Sequence, residues 1–174
     1  MKVINYILLA LLFFSLSFSC VKPPEYPDEP VLSYNIGDGD GFNQSSINQG
    51  SQGSISDTLI LTFSFTDGDG DIGYEVDSFD VFFTDSRFGI ADFRRLPVIP
   101  DQGTGNGIEG KITLRFPNQP SNICCAYENA PACSPHQEVG GTPTDTFSYT
   151  LQIRDRAGNW SNKVQTETVT IICD

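Results

Sequence analysis

Apolar residues in this chain recur at every second position, and this period of two restricts the fold more than any other feature. Between residues 58 and 65, Leu59, Leu61, Phe63 and Phe65 alternate with threonine, isoleucine and serine. The same alternation returns at residues 79–83, 111–116, 147–154 and 169–173. Because successive side chains of a β-strand point to opposite faces, these segments are predicted to be half-buried strands. No stretch after the first 20 residues has the period of an amphipathic helix, so we predict an all-β fold.

About six or seven such strands, separated by turns rich in Gly, Asp and Asn, are typical of a two-sheet antiparallel sandwich. We place this domain at residues 55–174. Val164 is out of phase with the apolar face of residues 169–173, which predicts a bulge or break between residues 166 and 168. Residues 96–99 are a weaker strand candidate, because a proline interrupts them.

The first 19 residues have the composition of an export signal. Lys2 provides a positive charge, and residues 6–14 form an apolar run that is too short to remain as a membrane-spanning helix. The sequence S-L-S-F-S-C then ends at Cys20 and resembles a bacterial lipobox, in which cleavage before the cysteine is followed by lipidation. Phe18 departs from the strictest pattern, although looser versions are common in the Bacteroidetes. We predict a signal peptide at residues 1–19 and a lipidated Cys20, with an ordinary secretory signal as the alternative.

Residues 20–54 are predicted to be a flexible linker between the lipid anchor and the domain. Residues 21–30 contain four prolines and three acidic residues, a composition that indicates a semi-rigid spacer. Residues 35–56 are rich in Gly, Ser, Asn and Gln, and one short strand is expected near residues 31–36. Attachment through more than one acyl chain would hold the protein stably on a membrane.

The charge balance and the side-chain inventory exclude two classes of function. The chain has 22 acidic residues against 10 Lys and Arg, for a formal charge of −12, whereas a nucleic-acid binder needs clustered positive charge. Its one histidine, His136, has no identifiable nucleophile beside it, and no G-x-S-x-G sequence is present. Two G-x-G-x-x-G strings are followed by strand-like alternation, where a dinucleotide site needs a helix. We therefore expect neither nucleic-acid binding nor enzymatic activity.

An acidic loop, D-G-D-G-D-I-G, directly follows the alternating segment that ends at Phe65. Its carboxylates, Asp67, Asp69 and Asp71, can face one point when the backbone curls at the glycines, and hard oxygen ligands of this kind suit Ca²⁺. The loop lacks the sixth-position glycine and the twelfth-position glutamate of an EF-hand. The sequence therefore predicts a calcium site of another type, with a solvated Asp-Gly turn as the alternative.

Two further acidic positions are candidates for metal binding. Asp155 ends the alternating segment before R-A-G-N, where it either caps its own turn or joins the Asp67 cluster at one pole of the sandwich. Asp38 and Asp40, in G-D-G-D-G, form a second acidic loop with only two carboxylates.

Apart from Cys20, the chain has four cysteines, which are Cys124, Cys125, Cys133 and Cys173. An even number in an exported chain predicts disulfides, and a bond between adjacent cysteines is strained. We therefore expect one of Cys124 and Cys125 to pair with Cys133 and the other with Cys173. A zinc site at the first three of these cysteines and His136 is the rival, although an oxidising compartment argues against it.

Three segments resemble, in order, a family of Bacteroidetes lipoproteins that has an immunoglobulin-like domain and no established activity. They are T-L-I-L-T-F-S-F-T-D-G-D-G-D-I-G, I-E-G-K-I-T-L-R-F and Y-T-L-Q-I-R-D-R-A-G-N-W-S-N-K-V-Q-T-E-T-V-T-I. The resemblance covers residues 55–172 and implies an immunoglobulin-like sandwich on a lipid-anchored outer-membrane protein, at the cell surface or on the periplasmic face.

These features predict a structural or adhesion module on the outer membrane, stabilised by calcium and contacting a protein or glycan partner. One alternative is a glycan-binding accessory protein, which needs an exposed aromatic platform and for which Trp160 is the main candidate. Another is a small subunit of an envelope complex whose sheet edge pairs with its partner.

Overall fold

The computed structural model describes residues 24–49, 58–74, 78–89, 91–100, 107–119, 123–126 and 144–173. This part of the chain is all-β, as predicted, and has one short 3₁₀ turn at Ile36–Asp38. Its strands are β1 (Val31–Ser33), β2 (Gly41–Phe42), β3 (Ser46–Asn48), β4 (Thr58–Asp67), β5 (Val81–Asp85), β6 (Ala91–Arg94), β7 (Ile108–Pro117), β8 (Thr144–Phe147), β9 (Tyr149–Ile153), β10 (Val164–Gln165) and β11 (Val169–Ile172). A search of these residues finds no helix with the length and apolarity needed to span a bilayer. The predicted signal peptide and Cys20 lie outside the described residues.

The described strands form three sheets, in which every pairing except one is antiparallel. β4 is the centre of the first sheet, with β7 along one edge and both β1 and β2 along the other. The second sheet has the order β10-β9-β5-β6. The third has the order β3-β11-β8, and β3 runs parallel to β11.

The core lies between the first and second sheets. Every second residue of β4 is buried, and Leu59, Leu61 and Phe63 are fully so. Across the core, the ring of Phe116 in β7 has its centroid 5.3 Å from that of Phe83 in β5 and 5.3 Å from that of Tyr149 in β9. The two sheets therefore pack face to face through aromatic contacts, as in a sandwich.

Within the predicted linker at residues 20–54, the short strand expected near residues 31–36 is present as β1. Two further strands that were not expected, β2 and β3, also belong to the sheets. Leu32 of β1 and Ile47 of β3 are buried in the core. Strands of two or three residues contain too few alternations to show a period of two, and their Gly-, Ser- and Asn-rich surroundings have the composition of a linker. The ordered domain therefore begins before residue 55.

The alternating segment at residues 147–154 is divided at Ser148, where the chain passes from β8 in the third sheet to β9 in the second. Phe147 pairs with Val169 and Thr150 pairs with Gln165. Two residues lie between these pairs on one strand and three, residues 166–168, on the other, so one residue is extra. The predicted bulge or break between residues 166 and 168 is confirmed. Residues 96–99 form no strand.

Candidate metal site

Two of the predicted ligands continue the buried faces of strands that belong to facing sheets. In β4 the buried residues at positions 59, 61, 63 and 65 are followed by Asp67, and in β9 those at 149, 151 and 153 are followed by Asp155. Both aspartates are 0% exposed. The same alternation that buries the core thus brings one carboxylate from each sheet to the same end of it.

The loop after β4 curls so that its own carboxylates face Asp155. The Asp71 amide donates a hydrogen bond to Oδ2 of Asp67 at 2.9 Å, and Gly70 takes a positive φ of 70° that permits the turn. Ile72 is fully buried and anchors the loop in the core. Asp71 Oδ2 accepts a hydrogen bond from the Ala157 amide at 2.9 Å, so the two loops are joined directly.

Asp155 both caps its own turn and belongs to the cluster, so each of the two sequence interpretations is correct. Its Oδ1 accepts a hydrogen bond from the Asn159 amide at 2.7 Å and its Oδ2 one from Asn159 Nδ2 at 2.8 Å. The hydroxyl of Tyr74 donates a hydrogen bond to the backbone carbonyl of Asp155. Sequence reasoning missed Tyr74. It expected Gly158 or Asn159 to take a left-handed conformation in this turn, and Gly158 does so with a φ of 97°, but it did not identify Asn159 as a hydrogen-bond donor to Asp155. The turn residues R-A-G-N carried the only signal for Asn159.

One carboxylate oxygen from each of Asp67, Asp69, Asp71 and Asp155 lies within 4.8 Å of the other three. Two such charges 4 Å apart repel by roughly 4 kcal/mol at an effective dielectric of about 20. Among the described residues no Lys or Arg makes an ion pair with any of the four. Arg156, which is close in sequence, donates instead to the carbonyls of Ile72 and Gly73.

Two oxygens of the cluster are buried without a hydrogen-bond partner among the described residues. They are Asp67 Oδ1 and Asp71 Oδ1. A buried acceptor without a partner costs about 1–3 kcal/mol, and more when it is charged, so native proteins rarely leave one. Burial, reinforced by the neighbouring carboxylates, raises the pKa of Asp67 to about 7 and also raises the pKa of Asp71. The buried acidic cluster could therefore hold a metal ion.

The second acidic loop has a different environment and is not a comparable site. Asp40 is buried, but its carboxylate accepts hydrogen bonds from Lys111 Nζ at 2.9 Å, Ser64 Oγ at 2.8 Å and the Asn35 amide at 3.0 Å. Although burial acts in the opposite direction, the hydrogen bonds from Asn35, Lys111 and Ser64 lower the pKa of Asp40. The charge of Asp40 is thus balanced by Lys111, and its carboxylate has a structural role.

The segment before β1 packs on the outside of the acidic loop. The Gly68 amide donates a hydrogen bond to the Pro27 carbonyl at 2.7 Å, and the Tyr26 hydroxyl donates to the carboxylate of Glu109 in β7. A Cβ at position 68 would collide with the carbonyl oxygens of Tyr26 and Pro27, so the close approach requires glycine. The loop that supplies three carboxylates therefore also holds the chain at the point where it enters the domain.

Cys125 and Cys173 form a disulfide with a Cα–Cα distance of 6.1 Å, which is one of the predicted pairings. Cys124 is disulfide-bonded as well, and Cys133, its predicted partner, lies outside the described residues. The rival zinc site is wrong, because two of its proposed ligands, Cys124 and Cys125, are in disulfides and cannot act as thiolates. Its fourth proposed ligand, His136, lies outside the described residues.

Comparison of the chain with protein-family models, with curated proteins and with solved structures finds no match. The functional assignment therefore rests on the residues of the site and on their geometry.

Proposed function

We propose that this chain is a lipid-anchored structural or adhesion module of the outer membrane, built on an immunoglobulin-like sandwich. Ca²⁺ bound at the acidic cluster would stiffen the junction between the domain and its anchor. One observation carries the proposal: the loop that provides Asp67, Asp69 and Asp71 also binds the entering chain through the Gly68–Pro27 hydrogen bond. An ion that orders this loop would fix the direction in which the domain leaves the membrane.

The donor set and its spacing favour Ca²⁺ over smaller ions. All four ligands are carboxylates, which suit hard cations. Ca²⁺ binds oxygen at about 2.3–2.6 Å, so ligands on opposite sides of the ion are about 4.6–5.2 Å apart, while Mg²⁺ would hold them about 4.0–4.2 Å apart. The oxygens of the cluster span up to 4.8 Å, which suits the larger ion without compression of the loops.

The sequence around Cys20 and the contacts of residues 26 and 27 support the proposed anchor. Only a few residues separate Cys20 from Tyr26 and Pro27, which already contact the domain. A domain lipidated at Cys20 would therefore lie close to the membrane, with the acidic cluster at its proximal end. The cell surface is the proposed location, and the periplasmic face of the outer membrane is the alternative.

Asp69→Asn is expected to abolish calcium binding while leaving the fold intact. Asp69 is exposed, so its main contribution is a charge and a ligand oxygen. Isothermal titration of the purified full chain in detergent should show one calcium site, and the variant should show none in the same concentration range. Asp38→Asn removes the same charge from the second acidic loop and is the control. It should bind calcium like the wild type. Equal binding by Asp69→Asn and the wild type would remove the proposed site.

Cys20→Ala is expected to eliminate the membrane anchor. Wild-type protein should incorporate labelled fatty acid and sediment with membranes, because more than one acyl chain at Cys20 would hold it stably on the bilayer. The alanine variant should incorporate no label and appear in the soluble fraction. A variant that remains labelled and membrane-bound would show that lipidation occurs elsewhere or that the signal has another type.

A further inference from the structure

Four aromatic side chains form a row of two contacting pairs on the outer face of the second sheet. Phe82 points outward from β5, stands opposite Phe93 of β6 in the pairing register, and has its ring centroid 4.7 Å from that of Trp160. Phe79 extends the row, with its ring centroid 3.9 Å from that of Phe93. Trp160 is 45% exposed and Phe93 is 42% exposed. A group of exposed aromatic rings on one face of a domain can mark a binding surface.

The Trp160 end of this row borders an open groove of about 240 Å³. Beside Phe82 and Trp160, the groove is lined by Ala91 and by four residues with polar side chains, which are Thr84, Thr150, Gln152 and Lys163. The volume is slightly below the roughly 300–1,000 Å³ of clefts for drug-sized ligands, so it suits a group of about one sugar ring.

We propose that this groove binds an acidic sugar residue of a polysaccharide. The apolar C–H face of a sugar ring would pack on Phe82 and Trp160, because such hydrogens are attracted to the negative face of an aromatic ring. The threonine hydroxyls and the Gln152 amide would exchange hydrogen bonds with the ring hydroxyls. The carboxylate of the sugar would pair with Lys163.

Charge complementarity favours an acidic sugar over a neutral one. The chain as a whole has a formal charge of −12, yet none of the described residues that line the groove is acidic. Lys163 makes no ion pair with any acidic residue of the described chain. A groove with only positive charge on a strongly acidic protein provides a local site for an anion.

The position of the groove argues against an extended peptide as the occupant. Peptides that add to a sheet bind at its edge, where backbone groups are unpaired. This groove lies on the face of a sheet whose strands β5 and β9 are already hydrogen-bonded to each other. Recognition there depends on side chains, which suits the hydroxyl-rich surface of a sugar.

The groove is held in shape before any ligand binds. The Arg154 guanidinium lies 5.4 Å from the centre of the Trp160 ring and 5.9 Å from that of Phe82, and its Nη2 donates to Ser78 Oγ at 2.9 Å. The Gln152 amide is fixed by a hydrogen bond of 2.8 Å to the Ser161 carbonyl. Such preorganisation lowers the entropy cost of binding.

Trp160 is the only tryptophan in the chain, so its fluorescence reports directly on the groove. The full-length protein, in a detergent without a sugar headgroup, is titrated with oligosaccharides of polygalacturonate, alginate and hyaluronan, and with neutral galactan as the comparison. Chelator is present throughout, because uronates bind calcium themselves. We expect at least one acidic probe to shift the emission saturably, with weaker binding of neutral galactan. This readout is independent of the calcium proposal.

Three variants complete the test, with affinity electrophoresis as a second readout. Trp160→Ala should weaken binding of the acidic probe at least about tenfold, since it removes an aromatic contact together with its buried area. Lys163→Gln should weaken it by about two- to fivefold and leave galactan binding unchanged. Phe88→Ala, an exposed aromatic outside the groove, should bind like the wild type. The proposal is overturned if no acidic probe binds, if galactan binds as tightly as the acidic probes, or if Phe88→Ala loses as much affinity as Trp160→Ala.

Discussion

Substitution of Cys173 by serine is expected to lower the free energy of unfolding by about 4 kcal/mol, because its disulfide constrains a long loop of the unfolded chain. Cys125 and Cys173 are 48 positions apart, and the bond ties residues 123–126 to the end of β11. Cys125 is also 1% exposed and packs in the core. For a domain of this size the loss corresponds to a fall in melting temperature on the order of 10 °C.

A double-mutant cycle separates the disulfide from the packing of the two side chains. Cys125→Ser, Cys173→Ser and the double variant are compared by thermal unfolding monitored by circular dichroism. If the covalent bond carries the stability, the first substitution breaks it, and the second adds only the cost of a buried serine hydroxyl. Losses that simply add would mean that the bond contributes little and that each side chain acts separately.

The period of two predicted the long strands correctly and failed for the short ones. β4 and β7 contain ten residues each, which gives five alternations and an unambiguous buried face. β2 contains two residues and β3 three, so neither shows a period, and both depend on pairing with distant strands. Only the tertiary structure reveals that these residues belong to the domain.

The candidate metal site, like the fold, could be predicted only in part from the sequence. The spacing of Asp67, Asp69 and Asp71 predicts a local cluster, because the three residues share one loop. Alternation also extends the buried face of β4 to Asp67 and that of β9 to Asp155. Their convergence depends on the packing of two sheets, which the sequence does not specify. The aromatic row was missed because it needs the register of β5 and β6 together with the position of a loop residue, Trp160.

The pH dependence of stability distinguishes a cation-free cluster from a loaded one. Without a cation, burial raises the pKa of Asp67 from 3.8 to about 7, so the folded protein holds this proton more tightly than the unfolded chain. The stability from this proton is therefore complete below about pH 4 and is lost as the pH rises towards 7. With a bound cation the ionised form is favoured, and protons compete with calcium below pH 7. Urea unfolding at pH 5 and pH 8 measures how the free energy of unfolding changes with pH, once in chelator and once in calcium. The contribution of Asp67 should favour pH 5 in chelator and pH 8 in calcium.

Asp67→Asn is expected to be more stable than the wild type in chelator and less stable than the wild type in calcium. In chelator at pH 8 the variant should be the more stable protein, by on the order of 1–2 kcal/mol, because a neutral amide of the same shape replaces a buried charge among three carboxylates. In calcium at a hundred times the dissociation constant, the wild type gains about 2.7 kcal/mol and the variant, which lacks a ligand, gains little. Asp40→Asn is the matched control, since Asp40 is buried but paired with Lys111, and its substitution should destabilise the protein equally in both conditions. An Asp67→Asn variant that is less stable than the wild type in chelator as well as in calcium would show that Asp67 supports the fold through its hydrogen bond to the Asp71 amide rather than through a cation.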